Sequence, residues 1–220
     1  MPVSFSISRK RRLEPIDRVS EVLFGLIMVL TFTGSLSIAE AGRDDVRAML
    51  IGALGCNLAW GIIDAILYLM GCLGERGRNL AVFHAVREAG DSPRAQRLIA
   101  DSLPPVVACI LQPAELEAIR VRLTAVPAPP PRAHLLKDDW LGAAGVFLLV
   151  FLTTLPVAVP FMLIDNAAAA LRVSNLVAVV LLFLSGYAFG RISGYYPWLV
   201  GCAMVVLGAV LVGLTIVLGG

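Results

Sequence analysis

Asp64 is the one formal charge inside five long apolar runs. An ionised carboxylate at a bilayer's centre costs about 2.5–3.5 kcal/mol on insertion scales, so such a residue is paired or put to use. At about 100° per residue, Asn57, Gly61, Asp64, Tyr68 and Gly71 fall on one helical stripe. A matching stripe upstream carries Glu21, Gly25, Met28, Phe32 and Ser35. If the two stripes belong to antiparallel neighbours, Glu21 and Asp64 lie at similar depths. Glu21 and Asp64 as carboxylates, Asn57 as an amide oxygen and Met28 as a thioether then form a candidate divalent-metal set. The competing reading of these four residues is a hydrogen-bonded cluster that holds helices together.

The elements that must position them are the runs themselves, at residues 22–39, 48–73, 140–164, 173–190 and 195–220. A hydrocarbon core of about 30 Å needs roughly 20 apolar helical residues, and 18 or more make a candidate span. Backbone polar groups in lipid must be satisfied within the segment, so each run is expected to be a helix. The composition agrees: 58% apolar and only 15% charged, against about 25% charged in a soluble protein. The expected fold is all-α, an integral membrane bundle of five helices with a helical cytoplasmic segment between spans two and three.

Charge distribution orients the bundle. Of 18 Lys/Arg, the tail before the first run holds Arg9, Lys10, Arg11, Arg12 and Arg18, and the 74–139 segment holds nine. Only Arg43, Arg47 and Arg172 fall in the alternate loops. The positive-inside rule therefore places the N-terminus in the cytoplasm and the C-terminus outside, and a bacterial inner membrane is the expected location. Ala39-Glu40-Ala41 after the first run imitates a leader cleavage site. An apolar core of about 18 residues is longer than the 7–15 of a leader, so the run is read as a span.

Four parts follow: a basic tail (1–21), spans one and two (22–73), a cytoplasmic segment with a Pro-rich linker (74–139) and spans three to five (140–220). Within the cytoplasmic segment, helices are expected at 79–88, 93–102 and 113–123. Ser92 before Pro93 reads as a cap and first-turn pair, and Pro113 with Glu115 repeats the pattern. Leu80, Phe83 and Val86, and likewise Leu116, Ile119 and Leu123, form narrow apolar stripes suited to packing on each other or lying against the membrane surface. Asp64 enters from the outer side at Ala48, which sets it roughly 24 Å deep, in the cytoplasmic half. Pro156 and Pro160 should kink span three and free backbone carbonyls. Gly186, Gly190 and Gly194 recur every fourth position and allow close backbone approach.

Enzymatic chemistry finds no footing. GxSxG, HExxH and a phosphate-binding glycine loop are all missing, and His84 and His134 are fifty residues apart. The four cysteines show no CxxC spacing, and the basic residues follow topology, so no nucleic-acid partner is expected.

Several stretches resemble the vacuolar iron transporter family. Thr153-Thr154-Leu155-Pro156-Val157-Ala158-Val159-Pro160 is similar to its double-proline span three. Leu184 through Gly194, with Gly186, Gly190-Arg191 and Ser193-Gly194, resembles its span-four ending, and Gly34-Ser35-Leu36-Ser37 is similar to its span one. The resemblance implies a homodimer that moves Fe2+ or Mn2+ out of the cytosol in exchange for protons, with the ion as cargo and no permanently bound cofactor. It also implies an acid in span one and a glutamate in span two. These positions fall near Phe24 and on Asn57, so Glu21 and Asp64 are the carboxylates available here. The family's clustered cytoplasmic glutamates are reduced to Glu115 and Glu117. A scaffold that keeps the fold without transport, with a cytoplasmic partner on 74–139, is the alternative.

Overall fold

The computed structural model of the chain describes residues 15–34, 43–127 and 129–217. The arginines of the tail at 9–12, Ser35, the remainder of the first run and the final three residues lie outside the described residues. Among those described, every regular element is helical: α1 Pro15–Gly34, α2 Arg43–Glu88, α3 Ser92–Asp101, α4 Pro105–Ala108, α5 Pro113–Ala125, α6 Lys137–Thr153, α7 Leu155–Leu163, α8 Ala167–Ser193 and α9 Pro197–Val217.

Four stretches are long and apolar enough to cross a membrane: Leu50–Glu88, Lys137–Leu163, Ala167–Ser193 and Pro197–Leu214. The fifth expected span, α1, contributes the shorter apolar stretch Val19–Leu30 among the described residues. These helices wear their large apolar side chains outward. Ile62, Ile66, Leu67 and Met70 on α2, Leu176 on α8 and Val206 and Val210 on α9 are exposed. Large apolar side chains turned outward on helices this long suit lipid.

The described residues divide into two compact units, one within 69–139 and the other made of 15–34, 43–68 and 140–217. In the second unit α8 packs on α9, α1 and α7, and α1 also packs on α9. Leu23, Leu26, Val29 and Leu30 of α1, Val157 of α7 and Ala178 and Leu182 of α8 form its core. Lipid is as apolar as leucine, so close packing rather than escape from water holds these helices together. Glycine makes that packing possible. A Cβ on Gly186 would come within 2.9 Å of the Val200 carbonyl oxygen, and one on Gly190 within 2.8 Å of Pro197 Cα. Gly194 does something different from its two predecessors: at φ 75 it is the left-handed residue that ends α8 and turns the chain into α9.

Three expectations need correcting. The helix of span two does not stop at Leu73 and restart at Asn79; α2 is unbroken from Arg43 to Glu88. Gly74 and Gly77 weaken a helix interior by about 1 kcal/mol each, yet neither has a positive φ. Between them Arg76 is tied to the start of α6 through both oxygens of Asp139, at 2.5 and 2.8 Å. Span four begins at Ala167 rather than Val173, because the Asn166 side chain accepts the Ala169 N–H at 3.0 Å and caps it there. Arg172 is therefore on the helix and exposed. Ser92 is inside α3, whose N-cap is Asp91.

In the first unit Val86, Ala95, Ile99 and Leu116 are buried together, with Ile119 and Leu123 against them. The Ser92 hydroxyl donates to Glu117, which also receives Gln96 Nε2 at 3.1 Å and the Arg120 guanidinium at 2.6 Å. Led by Arg120, these donors hold the Glu117 carboxyl down at about 2. The Pro113 start of α5 is closed by a capping box in which Glu115 Oε2 accepts the Gln112 N–H at 2.8 Å.

Candidate cation site and the broken helix

Two side-chain pairings fix how α1 lies along α2. Glu21 lies within side-chain hydrogen-bonding reach of Asp64, and the Phe24 and Trp60 rings meet edge to face at 5.2 Å. Numbers rise on one helix as they fall on the other, so the pair is antiparallel. Carried on by seven residues, the same register brings Met28 level with Asn57. Seven residues along a helix amount to about 10.5 Å. By that register Glu21 and Asp64 form one level and Asn57, with Met28 opposite by count, a second, about 10.5 Å along. The structure brings the two carboxyls together and does not gather all four residues around one point.

Two carboxyl groups this near hydrogen-bond to each other only through a proton, because two carboxylates offer acceptors only. A cation bound by both oxygens satisfies them equally well. Asp64 Oδ2 is moreover a buried acceptor with no hydrogen-bond partner. Among the described residues no group of three or more His, Cys, Asp or Glu gathers as a metal cluster. What α1 and α2 offer is a two-acid pair rather than a closed cage.

The second level is built around α6. Asn57 is completely buried, and its amide nitrogen donates to the carbonyls of Val150 at 2.8 Å and Phe151 at 3.4 Å and to Thr154 Oγ1 at 3.1 Å. This is where the helical ladder of span three is interrupted, between the end of α6 at Thr153 and the start of α7 at Leu155, with Thr154 itself in right-handed helical geometry at φ −76 and ψ −27. A helix leaves its last four carbonyls without partners, and Pro156, placed in the first turn of α7, has no N–H with which to continue the ladder. The Thr153 and Thr154 hydroxyls donate to the Val150 and Phe151 carbonyls, both at 2.7 Å. On the far side Ser174 of α8 donates to Val157 of α7, also at 2.7 Å. With its nitrogen committed, the Asn57 side chain leaves Oδ1 as a second buried acceptor without a partner.

Glycine again permits the contact. A Cβ at Gly25 would collide with Thr153 Oγ1 and reach 3.1 Å from the Val150 carbonyl, and one at Gly61 would meet Phe147 at 3.0 Å. Gly142 is similarly closed by the Tyr68 ring. Tyr68 against Gly142, Gly61 against Phe147 and Asn57 against Val150 to Thr154 form an antiparallel ladder of α2 on α6. Alongside lies a cleft of about 470 Å³ lined by Val22, Leu26, Leu149, Thr153, Pro156 and Leu181. Its walls are almost wholly apolar, so it offers a cation nothing.

Thr154 and Ser174 were not among the candidates read from the sequence. The signal for Thr154 was there, two threonines immediately ahead of the double proline, where freed carbonyls would need donors.

The chain matches the VIT family over residues 86–220, more than half its length. The matched stretch contains the α6–α7 break and the glycine-rich end of α8, and it begins after Glu21, Asn57 and Asp64. No curated protein matches the chain.

Proposed function

The chain belongs to the VIT family, the vacuolar iron transporters, and from that premise we propose that it moves a divalent cation, Fe2+ or Mn2+, out of the cytosol. Five spans carry the function in this reading, with α1 as the first, the N-terminus in the cytoplasm and the C-terminus outside, in a bacterial inner membrane and as a homodimer. The ion first meets Glu21 and Asp64, which release the proton they share as the cation binds. It then passes to the deeper level, where Met28 supplies a soft sulfur and Asn57 Oδ1 a neutral oxygen. Proton exchange follows from the pair itself: loading with a dication and loading with a proton are alternatives for the same oxygens.

The observation that carries this reading is the buried, unpartnered Oδ2 of Asp64 with Glu21 in reach on the neighbouring helix, two acids that a bilayer tolerates only when paired or in use. Mn2+ flux into proteoliposomes is the test. Asp64→Asn, which keeps the shape and removes the titratable oxygen, is expected to bring flux to background. Unchanged flux would remove Asp64 from the mechanism. The second reading, a membrane scaffold working through its cytoplasmic face, draws on the separate packed core around Val86, Ile99 and Leu116. Loss of a partner on deletion of 74–139, with metal handling intact, would favour it.

A further inference from the structure

The break between α6 and α7 is held by one hydroxyl that touches two elements at once. Thr154 is 1% exposed; its Oγ1 donates to the Phe151 carbonyl at 2.7 Å and accepts from Asn57 Nδ2 at 3.1 Å. A hydroxyl has one donor and two lone pairs, so the single donor is spent on α6 and a lone pair on α2. We propose that Thr154 is a positioning residue that couples Asn57 of α2 to the interruption of the helical ladder between α6 and α7. The functional half of this inference rests on the transport reading above; the structural half rests on geometry alone.

The coupling has a physical direction. Asn57 bears one group on each side of its amide: the nitrogen grips Val150, Phe151 and Thr154, and the oxygen is buried without a partner. A cation on that oxygen withdraws electron density through the amide and makes its N–H groups stronger donors, as hydrogen bonds in a chain polarise one another. The grip on Thr154 then tightens, and the break is held in one arrangement. Departure of the cation relaxes the amide, and α7 is free to change its angle against α6. Ser174, bonded to the Val157 carbonyl at 2.7 Å, keeps α7 on α8 through this change, so the movement is a bend at Thr154 and not a loss of packing. Thr153 lacks this double role in sequence logic, since its hydroxyl returns to Val150 within its own helix.

The experiment compares Thr154→Val, which keeps the shape and deletes the hydroxyl, with Thr154→Ser, which keeps the hydroxyl and deletes a methyl. Both are reconstituted as the full chain. Hydrogen–deuterium exchange of residues 150–158 is followed in nanodiscs with and without Mn2+, and Mn2+ uptake kinetics are measured in proteoliposomes. Thr154→Val should exchange about tenfold faster over 150–158, the scale of one buried hydrogen bond left unmade, and should lose the slowing that Mn2+ produces in the natural chain. Its maximal uptake rate should fall about tenfold while KM stays within about twofold, and Thr154→Ser should restore both quantities. Wild-type exchange and uptake in Thr154→Val would overturn the proposal, and so would a serine variant as impaired as the valine one. If the natural chain moves no Mn2+, the transport reading fails, and the exchange result still judges the clasp at Thr154.

Discussion

Replacing Arg76 by alanine should be among the most damaging single changes in the chain. Its guanidinium donates to both oxygens of Asp139, at 2.5 and 2.8 Å, and to the His134 carbonyl at 3.0 Å. The side chains are 18% and 4% exposed, so removal of the arginine strands a carboxylate that solvent barely reaches. Leu136 N–H, at 2.6 Å, remains as a donor and covers part of the deficit. Breaking a buried ion pair from one side costs about 3–5 kcal/mol; the exposed edge of the arginine and the remaining N–H bring the expectation to about 3. For a chain of this size each kcal/mol lowers Tm by roughly 2–4 °C, so a drop of about 6–12 °C follows in detergent. Asp139→Leu alone strands the arginine in turn. The pair Arg76→Met with Asp139→Leu removes both charges and should lose less than either single change. The assay is a thermal melt of the four proteins, read as a double-mutant cycle. A single-variant loss under about 2 °C, or strict additivity across the cycle, would show that the pair is a surface contact and refute the reasoning.

Gly190→Ala puts a Cβ 2.8 Å from Pro197 Cα, which forces α8 and α9 apart at about 1–3 kcal/mol. Gly213→Ala, with open space around it, should be neutral or better in the same melt. Gly194→Ala meets no neighbour but inherits φ 75; the left-handed conformation costs a β-carbon residue roughly 1–2 kcal/mol, measurable as a lower Tm. Glu117, held at about 2 against an ordinary 4.5 by Arg120, Ser92 and Gln96, has a depressed folded-state value. Its contribution to stability is therefore complete above pH 4.5 and is lost as pH falls towards 2. Amide exchange of 92–125 should accelerate across that window in the natural chain and show a weaker pH dependence in Glu117→Gln.

The apolar runs were legible because length and charge are one-dimensional properties, and a stretch such as 197–214 can be little else than a membrane helix. The stripe of Asn57, Gly61 and Asp64 was legible for a similar reason: helical phase follows from spacing. That Glu21 and Asp64 share a depth is an inference of the same kind, from antiparallel neighbours of known length. Partners chosen across 93 to 97 residues were not legible. The double proline announces freed carbonyls, but nothing local says that Asn57 will reach Val150 and Thr154. The end of span two differs from the expectation because local propensity at Gly74 argues for a stop, whereas Arg76, two residues on, is held by Asp139 from a distant part of the chain. Ser92 looked like a cap by its neighbour Pro93, and its hydroxyl is used instead on Glu117 of another helix.

The ladder of α2 on α6 makes the inner side of span two intolerant of changes in length. One residue added between Asn57 and Asp64 would turn everything beyond it by about 100°. Either the amide would leave the broken helix, or the acid would swing away from Glu21 into hydrocarbon, with Tyr68 leaving its place over Gly142. Substitutions along the outward isoleucines and leucines leave that phase untouched. Natural variation in this helix should therefore change letters freely on its greasy side, and should never change the count between its amide and its acid.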